Sequence, residues 1–319
     1  MADTATLSLG QERLWFLDQL TPGDASYNIP IALSVRGPFD PVVFAAALSD
    51  VVARHEPLRT VVHAVDGRPV GVVRPPAPVA VEQVDLSALP EPDAIVKANA
   101  LTTEWSNRPF DLATGPLLRA ATVRIAERHH VVSVVVHHIG SDGWSRGVLF
   151  SELTTCYDAR AAGTVPVLAA LPVTYPEVAR RQRAETGSAA VAARLAYWSE
   201  KLSGAPVLDL PTDRPRPAVK TSRGGFRAVE LSSDLVSEVA ALGRACRVTP
   251  FMVYLTAFQV LLWRYAGQRD FCVGTSISGR HEVDLEPLVG LFSNTIVLRA
   301  DLSGVPTFRD LVRRTRTTT

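Results

Sequence analysis

The residues best suited to chemistry lie in one run, Val131-Val-Ser-Val-Val-Val-His137-His138-Ile-Gly140-Ser-Asp142-Gly143-Trp144-Ser145. Histidine, with an ordinary pKa of about 6.5, is the natural side chain for proton transfer near neutral pH. The nearly continuous apolar stretch before it reads as a strand buried on both faces. Side chains alternate along a strand, so His137 and His138 are expected on opposite faces, with at most one serving a shared reaction site. Buried histidines are costly unless hydrogen-bonded, and two satisfied core histidines remain an open reading of the pair taken alone. The Asp-Gly turn that follows weighs toward chemistry, because it puts a titratable group at a strand end. His137, His138 and Asp142 have the right types for a metal, but diverging neighbours and the lack of a further ligand nearby disfavour one.

The elements that must hold this run follow from periodicity. After the Gly140 and Asp142-Gly143 breaks, a helix is expected from Trp144, with Val148, Leu149, Leu153 and Cys156 on one stripe. Upstream, Gln11 to Leu20 reads as a short helix, Ile29 to Val35 as a strand, and Asp40 as the cap of a helix starting at Pro41. Val61 to Val65 and Val70 to Val73 flank Asp66-Gly67 as a hairpin. Glu91 to Trp105 is a second helix. Leu117 to Ile125 and Val131 to Val136 read as antiparallel neighbours joined around Glu127-Arg128-His129-His130, with both of these histidines solvated. Downstream, helices are expected at Val191 to Leu202, Leu235 to Cys246 and Pro250 to Tyr265, a strand at Phe271 to Ser276, and a helix start at Thr307. The Pro- and Ala-rich Thr164 to Pro176 divides the chain into an N-terminal lobe, 1–173, and a C-terminal lobe, 174–319.

Composition bounds the function. The 319 residues are 47% apolar and 20% charged, enough for a sizeable core and against wholesale disorder. A net charge of +1 gives no footprint for nucleic acid and no electrostatic membrane anchor. Three scattered cysteines make neither a disulfide framework nor a zinc site. No basic segment followed by an apolar run opens the chain, and the most apolar window, Phe251 to Trp263, is too short for a bilayer and reads as a buried helix. A soluble, cytoplasmic protein is expected.

His137-His138-Ile139-Gly140-Ser141-Asp142-Gly143 matches the His-His-x-x-x-Asp-Gly motif of condensation domains of non-ribosomal peptide synthetases. Other segments resemble that family in its order and spacing. Leu7-Ser8-Leu9-Gly10-Gln11-Glu12-Arg13-Leu14-Trp15-Phe16-Leu17 is similar to its first block, and Arg54-His55-Glu56-Pro57-Leu58-Arg59-Thr60 matches its second. Tyr175-Pro176-Glu177-Val178-Ala179 resembles the fourth, with Glu177 for the usual Asp and Arg181 where a Trp is expected. Val289-Gly290-Leu291-Phe292-Ser293-Asn294-Thr295 resembles the fifth, with Ser293 for the usual Val.

The resemblance implies an α/β, two-lobed fold like chloramphenicol acetyltransferase, with the second lobe incomplete because the family's later blocks are not in the sequence. It implies peptide-bond formation: an aminoacyl or peptidyl thioester on one carrier domain is attacked by the amine of an aminoacyl group on the next. The 4'-phosphopantetheine arms come with the carrier proteins, the domain itself binds no cofactor, and an adenylation domain is a neighbour. His138 is then the residue facing the substrate, as base or as positioning group, and His137 is structural. Asp142, within the catalytic motif, is expected to hold the loop, and a carboxylate in a buried turn needs a cation. Arg59 and Arg280 are the rival partners. Gly143 is expected to allow close approach of the pantetheine or acyl group. Trp144, Ser145 and Asn294 are assigned to the substrate tunnel, with core packing the competing role for Trp144 and a turn or cap for Asn294. Other coenzyme-A-dependent acyltransferases share the His-x-x-x-Asp-Gly core but would lack the Trp15 and Arg54 blocks together. A silent module that recruits a partner enzyme tends to lose the second histidine, which this chain keeps. The Asp-Gly-Trp-Ser continuation looks like the type joining two L-residues.

Overall fold

The computed structural model describes residues 3–218 and 224–319. The chain forms two compact units, Met1–Thr186 with Ser278–Asn294, and Gly187–Ile277 with Thr295–Thr319.

The first unit runs β1 (Asp3–Ala5), α1 (Leu9–Leu20), β2 (Asn28–Arg36), α2 (Pro41–Arg54), β3 (Thr60–Val65), β4 (Arg68–Val73), β5 (Val81–Asp85), α3 (Glu91–Asn107), β6 (Leu118–Ala126), β7 (His129–His137), α4 (Gly143–Ala161) and α5 (Tyr175–Glu185). The helix α1 begins earlier than expected because Ser8 and Gln11 form a capping box, each side chain bonding the other's backbone N–H. Asp40 caps α2 as its sequence indicates, accepting from the N–H groups of Val42 and Val43.

Four strands form a sheet in the order β2-β7-β6-β5, and β1-β4-β3 form a smaller one. Every residue of the central strand β7 is buried. Its Val132, Val134 and Val136 pack with α2 and α4 residues such as Val51 and Leu149, while Val131 packs with Ala94, Ala98 and Trp105 of α3. A continuous apolar strand between two helical layers follows from that two-sided burial, each Val contributing about 1.5 kcal/mol or more.

The turn before β7 is shorter than the sequence indicates. Only Glu127 and Arg128 lie between the strands, and His129 and His130 are strand residues paired with Arg36 and Val35. They are 5% and 6% exposed, not solvated.

The first unit also keeps α5, beyond the expected division at 173/174. Tyr175 is buried with Leu285, Leu288 and Phe292, so the helix start and the returning segment Ser278–Asn294 share one cluster.

The second unit contains α6 (Ala189–Leu202), α7 (Ser233–Cys246), α8 (Pro250–Ala266), β8 (Asp270–Ile277), most of β9 (Asn294–Asp301) and α9 (Phe308–Thr318). Strands β8 and β9 pair, and Leu262, Phe271, Ala300, Leu302 and Leu311 form the core. The expected buried helix at α8 is buried on one face only: Val253, Leu255, Thr256, Gln259 and Leu262 are inside, whereas Phe251, Phe258, Leu261 and Tyr265 on the other stripe are exposed. No single helix among the described residues is long and apolar enough to cross a membrane.

Candidate active site

Strand β7 ends at His137, and His138 opens a 3-10 turn, His138–Gly140, before α4. His137 is thus the last residue of the strand and His138 the first of the turn, so strand alternation does not by itself fix the direction of the second imidazole. His137 is 3% exposed, and its Nδ1 accepts the Ile139 N–H at 3.1 Å. An N–H needs a lone pair, so His137 is the neutral Nε2-protonated tautomer. Burial, helped by the neighbouring His138 charge, lowers its pKa to about 4. Phe110 meets its ring edge-on with centroids 5.8 Å apart.

His138 has the opposite arrangement. It is half-buried, and its Nδ1 lies 2.8 Å from the Ser141 carbonyl oxygen. A carbonyl only accepts, so Nδ1 carries the proton and Nε2 of the neutral ring keeps its lone pair. The turn that holds this ring is itself tied down: Gln11 Nε2 donates to the Ile139 carbonyl at 3.0 Å.

Asp142 is the most heavily bonded carboxylate of the site. Oδ1 accepts from the N–H and hydroxyl of Ser145 at 2.8 and 2.7 Å, capping α4. Oδ2 accepts from Arg280 Nη1 at 2.8 Å and from the N–H groups of Phe292 and Ser293 at 3.0 and 3.1 Å. Both side chains of the Asp142–Arg280 pair are 1% exposed. Burial pushes the Asp142 carboxyl up, but the Arg280 guanidinium and the Ser145 donors outweigh it and hold the group below the usual carboxylate range. Arg280 completes its donors on the carbonyls of Leu285 and Leu288 at 3.2 and 3.0 Å, and its guanidinium lies 4.2 Å from the Phe292 ring centroid. The rivalry between two arginines is thus decided: Arg280 pairs with Asp142, while Arg59, the last residue of a 3-10 turn, donates to the Arg74 carbonyl and supports a different loop.

One tunnel assignment changes. Ser145 is fully buried, its Oγ bonded to Asp142, Arg280 and the backbone of Gly290, so it belongs to the scaffold under the site and lines no passage. Trp144 is 47% exposed and not core packing; its indole N–H donates to the Glu286 carbonyl at 3.0 Å. Trp144, Gly143, Arg146 and Pro287 line an open cleft of about 910 Å³ within the first unit, and His138 is not among the residues lining it. A Cβ at Gly143 would meet no protein atom within 4 Å, so packing does not demand glycine there. Asn294 is exposed at the first position of β9.

Several supporting residues carry no chemical signature in the sequence. The Tyr175 hydroxyl bridges Ser8 Oγ at 2.9 Å and the Leu291 carbonyl at 2.7 Å. Its ring would lie 2.3 Å from a Cβ at Gly290, so glycine there lets the returning segment pass. Glu152 of α4 binds Arg54 Nε at 3.0 Å and His55 Nε2 at 2.7 Å. The family blocks are the signal that points to Ser8, Arg54, His55, Tyr175, Gly290 and Leu291, whereas Glu152 lies in none of them. No group of three His, Cys, Asp or Glu residues among the described residues is placed to hold a metal.

Comparison with known proteins identifies the family and the fold. The family model described as "Condensation domain" matches residues 1–319. One of the linear gramicidin synthase proteins of Brevibacillus parabrevis is 44% identical over 313 residues, 98% of this chain, and the chain spans 6% of that relative's length. The X-domain from teicoplanin biosynthesis superposes with a TM-score of 0.88 at 29% identity, covering 100% of this chain and 70% of that one. The first condensation domain of the CDA synthetase gives a TM-score of 0.83 at 24% identity over 100% of this chain and 75% of that one, a likeness of fold. The expected α/β fold of the chloramphenicol-acetyltransferase kind is the one these relatives have. The chain belongs to the condensation-domain family of non-ribosomal peptide synthetases, which are amide-forming acyltransferases.

Proposed function

We propose that this domain transfers an upstream aminoacyl or peptidyl group, held as a thioester on one carrier protein, to the α-amine of an aminoacyl group on a downstream carrier. The observation that carries the reading is His138, half-exposed, with Nδ1–H held on the Ser141 carbonyl and Nε2 left as an acceptor. An α-amine with a pKa of about 8 is partly neutral at pH 7 and needs orientation more than a strong base. Its nitrogen attacks the thioester carbon, Nε2 takes the amine proton, the C–S bond breaks, and the proton passes from Nε2 to the departing pantetheine sulfur, leaving the amide and a free thiol. Asp142 and Arg280 fix the turn and the start of α4 from beneath, and are positioning residues. His137, neutral and buried, holds the backbone of Ile139. The phosphopantetheine arms of the two carriers bring the reactants, Gly143 and Trp144 offer the open face on which one arm lies, and an adenylation domain is the neighbour that loads the acceptor. Two L-residues are joined, in the cytoplasm.

His138→Ala, assayed between loaded carrier domains in the complete synthetase, lowers dipeptide formation about 10²- to 10⁴-fold with the melting temperature unchanged. Product formed at the wild-type rate sinks the assignment. The solved X-domain in complex with OxyB from teicoplanin biosynthesis favours a second reading, recruitment of a partner enzyme. On that reading His138→Ala changes no turnover.

A further inference from the structure

At the opposite end of β7 the structure assembles a second set of reactive side chains. The Ser34 hydroxyl on β2 lies 2.9 Å from His129 Nε2, and His129 Nδ1 lies 2.8 Å from Glu91 Oε1 at the start of α3. The carboxylate can only accept, so Nδ1 carries the proton and Nε2 receives the Ser34 O–H. A hydroxyl on a base, with that base oriented by an acid, is the geometry of an activated nucleophile. Access differs along the row: His129 is 5% exposed and rigidly held, Glu91 is half-exposed, and Ser34 is exposed on β2, an edge strand of the four-stranded sheet. Arg36 Nη2, 3.5 Å from Glu91 Oε1, further fixes the acid. None of these residues belongs to the His137–Asp142 motif.

We propose that Ser34, His129 and Glu91 form a second nucleophilic site, one that takes acyl groups from activated carboxylic esters. Ser34 Oγ attacks the carbonyl carbon while its proton passes to His129 Nε2. The ester C–O bond breaks, His129 returns that proton to the leaving oxygen, and an acyl-Ser34 remains. Water, giving its proton to the same nitrogen, releases the acid and restores the hydroxyl.

The test uses a fluorophosphonate probe on the full chain, followed by peptide mass spectrometry. Here Ser34 Oγ displaces fluoride from phosphorus and the same imidazole takes the proton. The expected result is a single label on the Ser34 peptide, absent in Ser34→Ala. Labelling is slowed about 10²-fold in His129→Gln and at least about tenfold in Glu91→Gln. Because His129 is buried, Glu91→Gln at the half-exposed end keeps the test valid if His129→Gln does not fold. Ser34 left unlabelled, or labelled at the wild-type rate in Glu91→Gln, overturns the proposal. Label on Ser34 at an unchanged rate in His138→Ala separates this site from the one proposed for amide formation.

Discussion

Strand β7 carries a histidine pair at each end, and the two pairs behave differently. At its C-terminal end the strand stops between the residues. His137 stays in the core as a bare acceptor for one backbone N–H, and His138 turns out with Nδ1 tied to Ser141. At its N-terminal end the strand continues through both, so alternation sends them to opposite faces. His129 reaches Ser34 and Glu91 on the α3 side, while the His130 ring lies tilted against Phe39, 5.1 Å between centroids, with its buried Nδ1 unpartnered. Adjacent identical residues thus acquire four distinct hydrogen-bonding states, set by where the strand begins and ends.

Five substitutions sharpen that contrast. The largest effect is expected at the support of the C-terminal pair. Asp142→Ala leaves Arg280 as a buried charge without its carboxylate and costs about 3–5 kcal/mol of stability in urea denaturation. Arg59→Ala, which removes a bond to the Arg74 carbonyl, costs about 1 kcal/mol. Equal losses in the two variants would break the assignment of Arg280 as the partner.

Next comes pH. With the folded pKa of His137 near 4 and an unfolded value near 6.5, the unfolded chain binds a proton in that window that the folded chain refuses. Its contribution to stability is therefore full above pH 6.5 and lost as the pH falls toward 4, at up to about 1.4 kcal/mol per unit. His137→Asn flattens that acid limb in denaturation measured from pH 7 to 4, and an unchanged slope refutes the burial argument. The smallest effect belongs to His130→Phe. It removes an unpartnered buried nitrogen beside the Phe39 ring and raises stability by up to about 1 kcal/mol, whereas His129→Phe, losing two partners, lowers it by about 1–3 kcal/mol. A loss in the first variant as large as in the second erases the distinction between the faces.

Much of this was legible in the sequence where the signal is local. The valine run, the Asp-Gly break and the α4 stripe determine a strand, a turn and a helix, and Asp40 and Thr307 cap the helices they precede. That a buried Asp142 needs a cation follows from electrostatics alone. Which arginine supplies it does not, because Arg280 is 138 positions away and reaches the site only through the returning segment. The His129–His130 ladder was hidden for another reason. Glu127-Arg128 lacks the Gly or Asn that marks a two-residue turn, so the hairpin looks longer than it is. Ser145 is assigned to the substrate tunnel by the family resemblance, and only its burial and its contact with Gly290 identify it as scaffold.

The segment Ser278–Asn294, held by the Asp142 carboxylate, belongs to the first unit although its neighbours in the chain on both sides belong to the second. A chimera joined at a linker would treat the chain as a row of independent beads. A junction anywhere between Asp142 and Arg280 would instead draw the two halves of this salt bridge, and the Phe292 and Ser293 amides that share its oxygen, from different parents. Recombination partners therefore have to be matched across that junction, and the identity of residues 278–294 is as much a compatibility criterion as the motif around His138.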